Sequence, residues 1–256
     1  MKTFLSLILF ATAFDAQAFF ERKVYGVGST NPAGLVLSAG MAYNHKIWDG
    51  SEEKFWKYGY IRPKVAFDTS FLVNAVSAEL QTYPISIFGF SFGSNYAYRA
   101  VQHNDDFSCD LYNCRGEMHR NYFRVNANLG AGDYISSLSY QVEHFYNSHD
   151  DSKPSVELST SLLIPHENGI QEKYVAFFGY KLSDDMNFGV LEMYNAVSGF
   201  GGTKKSEGQY LVTSVSVDKL KCTAGVGTFG SDYNEKSLSL IVKINWLLDP
   251  SLSLND

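Results

Sequence analysis

Between Ser86 and Arg99 the chain alternates rings with small polar residues. Phe88, Phe90, Phe92, Tyr96 and Tyr98 fall on one face, and Gly89, Ser91, Gly93, Asn95, Ala97 and Arg99 fall on the other. A period of two marks a strand lying between two different environments. The same pattern returns at 34–47, 71–82, 121–131, 155–164, 172–182 and 236–247. In the last of these, Leu238, Leu240, Val242, Ile244 and Trp246 oppose Ser237, Ser239, Lys243 and Asn245. Weaker alternation marks 55–67, 134–147, 187–197, 208–217 and 221–231, which brings the expected number of strands to twelve. Turn-like breaks such as GAGD, SDDM and DKLK separate them. Merging pairs near 68–85 and 167–186 leaves ten strands, the alternative count.

The polar faces are unusual for a protein folded in water. A soluble sandwich shows long charged side chains outside, whereas here Ser, Gly, Asn and Ala dominate, with an occasional Glu, Arg or Lys. Small polar residues suit a crowded wet interior, and bulky rings suit lipid. Hydrocarbon requires every backbone polar group to be paired within the protein, so such a sheet has to close. The pattern therefore predicts an all-β fold, a closed antiparallel transmembrane β-barrel of about twelve strands. Asn74 and His144 fall on apolar faces and stand on the side of a soluble β-protein. With 34–47 as the first strand running outward, the breaks at 48–54, 198–207 and 231–236 are external. The long breaks at 101–118 and 147–154 then fall on the periplasmic side.

The opening MKTFLSLILFATAFDAQA has a positive start, a short apolar stretch and a small-x-small site, the pattern of a secretory signal peptide over 1–18. Residues 19–256 then form one barrel domain with a short C-terminal tail. A net charge of −6 without basic clusters argues against a nucleic-acid partner. The mean hydropathy of −0.15 excludes a helical membrane protein but not a barrel, whose strands average two faces.

With the signal peptide, the repeated strands of about ten residues and the closing KSLSLIVKINW, the chain resembles bacterial outer-membrane β-barrel proteins of the porin-like class. The closing segment looks like the terminal strand that the barrel-assembly machinery recognises, although LLDPSLSLND follows Trp246 where the family usually ends. The resemblance implies the outer membrane of a Gram-negative bacterium, contact with lipid and lipopolysaccharide, insertion by the assembly machinery and no cofactor. It implies small polar solutes if the barrel is a pore.

Alternation points Glu79, Arg99, Arg124, Glu143, Glu157, Lys173, Lys181 and Lys243 into the lumen. They form either an ion-pair network that fills a narrow barrel or the constriction of a small pore, so the chain reads as a small passive pore or as a structural and surface-interaction barrel. Cys109 and Cys114 have the spacing of a loop disulfide in an exported protein; a metal site with His119 is the alternative, and no metal is expected. Cys222 reads as a small strand residue. A membrane-embedded hydrolase is the alternative function. Outer-membrane phospholipases place Ser and His on the lipid face, and outer-membrane proteases place Asp and His above the rim. Its weak candidates are His144, which shares a face with Ser136, and His149 in NSHDDSKP. Ser136 and His144 lie roughly 26 Å apart along one strand, too far to touch. A secreted soluble β-protein that binds a partner is a third class.

Overall fold

Strands with one apolar and one polar face leave no room for an exposed sheet edge in lipid, and the sheet closes on itself. The computed structural model describes residues 18–48, 58–102, 107–147, 153–166, 169–199 and 201–248. The expected signal segment lies outside them except for Ala18, which opens the first strand. The elements are β1 (Ala18–Thr30), β2 (Ala33–Trp48), β3 (Gly59–Thr69), β4 (Val73–Ile85), β5 (Phe88–Ala100), β6 (Arg115–Ala131) and β7 (Tyr134–Asn147). There follow β8 (Ser155–Glu157), β9 (Leu162–Ile164), β10 (Gly169–Ser183), β11 (Met186–Ser198), β12 (Thr203–Val217), β13 (Leu220–Ser231) and β14 (Asn234–Leu247). All but β8 and β9 form one closed barrel of antiparallel neighbours, in which β7 pairs directly with β10 and β14 returns to β1.

Twelve strands therefore close the barrel, but not the twelve expected. Segment 155–164 folds as the separate hairpin β8–β9, Val156 pairing with Leu163. The missing strand is β1, which closely follows the apolar run 4–14 in the sequence and carries Glu21, Lys23 and Tyr25 against Arg22, Val24 and Gly26. The two errors cancel in the count and invert the sidedness of the first half of the chain. The connections 101–114, 148–168, 199–202 and 232–233 leave one end of the barrel, here the loop end. The segment 49–58 leaves the other, the turn end, beside the two-residue turns 86–87, 132–133, 184–185 and 218–219. Gly132 takes a left-handed φ of 60° in one of these turns, a conformation that glycine adopts without strain.

The outer wall is apolar. Leu238, Phe178, Leu129, Val76 and Phe92 are more than half exposed, while the intervening Ser239, Gly179, Asn128 and Ser91 are buried. Side chains of this kind turned outward around a sheet without edges belong in lipid. Beyond the rim, the loop end is capped. Leu162 and Ile164 of β9 pack with Met118, Phe145 and Val197, whose side chains line the inner wall near the rim. Val156 and Leu163 pack with Val101, Phe107 and Cys114, and the sulfurs of Cys109 and Cys114 are joined, their Cα atoms 5.4 Å apart.

Candidate functional site

The inner wall divides into two unlike halves. On the half lined by β1–β7, strands present charged residues at alternate positions, and a chain of bonds crosses them. Arg62 of β3 pairs with Glu21 of β1, both buried, and donates to Gln81 at 3.2 Å. Gln81 donates to Glu79, which also accepts from the Tyr122 hydroxyl at 2.6 Å and pairs with Arg124 at 3.1 Å. Gly93 makes this possible: a β-carbon there would collide with the Tyr122 ring, which lies over it. Arg124 Nε donates to Gln141, which donates to Glu143. Glu143 in turn pairs with Lys173 at 2.9 Å and Arg120 at 3.4 Å, and Arg120 reaches Glu157 of the hairpin at 3.8 Å. Buried carboxylates tolerate this position because several charged or hydrogen-bonding partners surround each one.

Beside that chain, Tyr25 donates to Asp68 at 3.4 Å, and Lys243 lies 5.8 Å over the Tyr25 ring. Lys23 and Lys64 line a cavity of about 10 Å³ together with Glu21 and Arg62, room for one water.

The half lined by β10–β14 is different. Tyr210, Val212 and Phe229 form a buried inner cluster, joined by the partly exposed Phe177, Leu191, Met193 and Ile241. Phe177, Leu191 and Tyr210 stand in one cross-strand row. The single polar handle of the cluster is satisfied, since the Tyr210 hydroxyl donates to Ser239 at 3.1 Å.

The expected lumenal residues separate accordingly. Glu79, Arg124, Glu143, Lys173 and Lys243 point inward and form or flank the network. Lys181 keeps the inward parity but sits exposed near the turn end. Arg99 is inward but serves the cap: its Nη1 donates to the carbonyls of Val156 at 2.9 Å and Asn113 at 3.1 Å. Glu157 is not on a barrel strand and enters the bore from the hairpin. Glu21, Arg62, Gln81, Arg120, Tyr122 and Gln141 are the network members not singled out from the sequence. Arg120 continues the Tyr122, Arg124, Asn126 alternation one step earlier, and that was the signal available for it.

The outer wall holds a second polar arrangement. Ser94 of β5 and His119 of β6 both face outward, with Ser94 Oγ 2.8 Å from His119 Nε2. The His119 ring stacks on Tyr146 at 5.6 Å, and His144 meets the same tyrosine edge-on at 4.4 Å. Glu117, on the same face of β6, accepts a hydrogen bond from Tyr96. His119 thus faces away from the joined Cys109 and Cys114, and the three residues form no metal set. Among the described residues no cluster of His, Cys, Asp or Glu is fit to hold a metal. Ser136 and His144 face outward from one strand, separated as expected. His149 lies outside the described residues. A groove of about 650 Å³ on the outer wall, between Met41, Pro63, Leu80 and Phe92, is apolar and open to lipid.

No family model matches this chain, and no curated protein matches it. Among solved structures it is similar to an outer-membrane channel from Pseudomonas putida F1, with a TM-score of 0.53 and 9% identity over 93% of this chain and 98% of that one. Weaker likenesses are OmpT of Vibrio cholerae, at a TM-score of 0.46, 9% identity and 91% and 99% coverage, and the β domain of the Bordetella autotransporter BrkA, at 0.45, 9%, 90% and 98%. The P. putida likeness concerns the fold, and it agrees with the lipid-facing wall and the closed sheet. The chain folds as an outer-membrane β-barrel of twelve strands.

Proposed function

We propose that the protein is a narrow, capped pore for small polar solutes. In this reading the loop end, with the β8–β9 cap, faces the cell exterior, in keeping with barrels that have short periplasmic turns and longer outer loops. The observation that carries the reading is the change along the bore. Leu162 and Ile164 seal the loop end with apolar contacts, while below them Lys64, Arg124 and Lys173 stay partly exposed to the lumen. In this reading the barrel is inserted by the assembly machinery and sits among outer-membrane lipid and lipopolysaccharide, with Lys204 and Lys205 beside the rim.

Planar-bilayer recording tests it. The full chain is expected to give small, infrequent openings. Replacing 155–164 by a glycine-serine linker, with folding checked by heat-modifiable gel mobility, is expected to give sustained current at least several-fold larger. Silence from both folded proteins at high concentration defeats the pore.

The Ser94–His119 pair favours a second reading, a lipid-facing ester hydrolase that uses these residues instead of His144 or His149. A serine activated by a histidine within hydrogen-bond reach can attack an acyl carbonyl. The serine proton passes to His119 and then to the departing alcohol, and water releases the acid. Loss of hydrolysis of a dispersed acyl ester in both Ser94→Ala and His119→Ala supports this; no turnover by the unaltered protein rejects it.

A further inference from the structure

We infer that the bore accepts organic anions carrying an apolar body, a narrowing of solute class that rests on the pore reading above.

Charge is the first ground. Lys23, Arg62, Lys64, Arg120, Arg124, Lys173 and Lys243 point into the bore from the barrel strands. The strands return four carboxylates, Glu21, Asp68, Glu79 and Glu143, and the hairpin adds Glu157. The sum over these groups is positive, whatever each is bonded to. Yet the whole chain carries −6. The sorting is by face, cations inward and the acidic excess elsewhere. A bore whose charges sum to one sign between low-dielectric walls favours the opposite ion.

The apolar half is the second ground, and it is independent of charge. A channel for simple hydrated anions has no use for Phe177, Leu191, Met193 and Ile241 facing its lumen, and burying them entirely would have made them plain core. They are instead partly exposed. Apolar surface of this kind, opposite a few placed charges, is the make-up of a site for a molecule with one greasy and one ionic part. The carboxylate belongs against the β1–β7 wall, where Lys64 and Arg124 stand. The body belongs against the row Phe177–Leu191 and its neighbour Ile241.

The test uses the folded full chain and the linker variant in planar bilayers. A potassium chloride gradient is expected to give a reversal potential of the sign that favours chloride. Sodium 4-phenylbutyrate is expected to interrupt the current at a concentration at least tenfold below that of acetate, with phenylbutylammonium ineffective. Replacing Leu191 and Ile241 together by serine should abolish the phenylbutyrate advantage and leave chloride preference intact. Lys23→Gln with Lys243→Gln should lower chloride preference and leave the ratio of phenylbutyrate to acetate largely unchanged. Conductance that favours potassium, or equal interruption by phenylbutyrate and acetate, overturns the inference while the pore stands. Silence of both proteins overturns the two together.

Discussion

The two halves of the bore are held by different forces within one sheet. Across β1–β7, Glu21, Arg62, Glu79, Arg124 and Glu143 are tied by directional bonds that each need a partner in place. Across β10–β14, Tyr210, Val212, Phe229 and their neighbours pack without such demands. A missing partner on the first side strands a charge. A trimmed side chain on the second side costs only its own contacts. The first half should therefore fail abruptly and the second by degrees.

The sharpest way to break that contrast is Arg62→Met, which takes from buried Glu21 the guanidinium it pairs with. Removing one member of a buried pair costs about 3–5 kcal/mol, read as a lower urea midpoint of the barrel in lipid vesicles. The double variant Glu21→Leu, Arg62→Met should regain most of that loss, because no charge is then stranded. Failure of the double variant to recover would show that the pair does more than satisfy itself.

A smaller effect is expected from Tyr210→Phe, which deletes the one hydrogen bond of the apolar cluster and keeps its ring. The loss should be about 0.5–1.5 kcal/mol by the same midpoint. A loss as large as that of Arg62→Met would erase the distinction between the halves.

The smallest concerns the junction of the apolar half with the cap. Tyr233, in the turn between β13 and β14, packs against Phe107 at 5.4 Å. Burial, with Tyr112 and Asp232 nearby, holds its hydroxyl above the usual value. A group whose folded pKa is raised lends stability below its unfolded value, about 10 for tyrosine, and loses it as pH climbs through the folded one. Proteolysis at Lys153 should therefore rise slightly above about pH 10, and Tyr233→Phe should flatten that rise.

Alternation made the closed barrel and its lipid-facing wall legible, because side-chain direction in a strand has a fixed period. It could not separate β8–β9 from the barrel, since Val156, Leu158, Leu162 and Ile164 alternate as well as any true strand. Those residues are apolar because they face the capped mouth and not because they face lipid. β1 was hidden because it starts at Ala18, inside the segment that the sequence reads as a secretory signal. The inward charges were partly legible by parity, but the pairing of Arg62 with Glu21 joins strands 41 positions apart and depends on register alone. The same is true of Ser94 and His119, two ordinary outward residues until β5 and β6 are aligned.

The seam between β1 and β14 has a consequence for assembly. It joins seven residue pairs, Lys23–Leu247 to Ser29–Ile241, where β1 and β2 join thirteen. At its end Ser239 donates to the carbonyl of Asn31 across 208 positions of chain. Every other neighbouring pair of strands can zip from a local connection, while this one must wait for distant ends to meet. Circularisation is thus the slow and entropically dearest event of the fold, and the weakest stave joint of the finished cask lies where its hoop was fastened last.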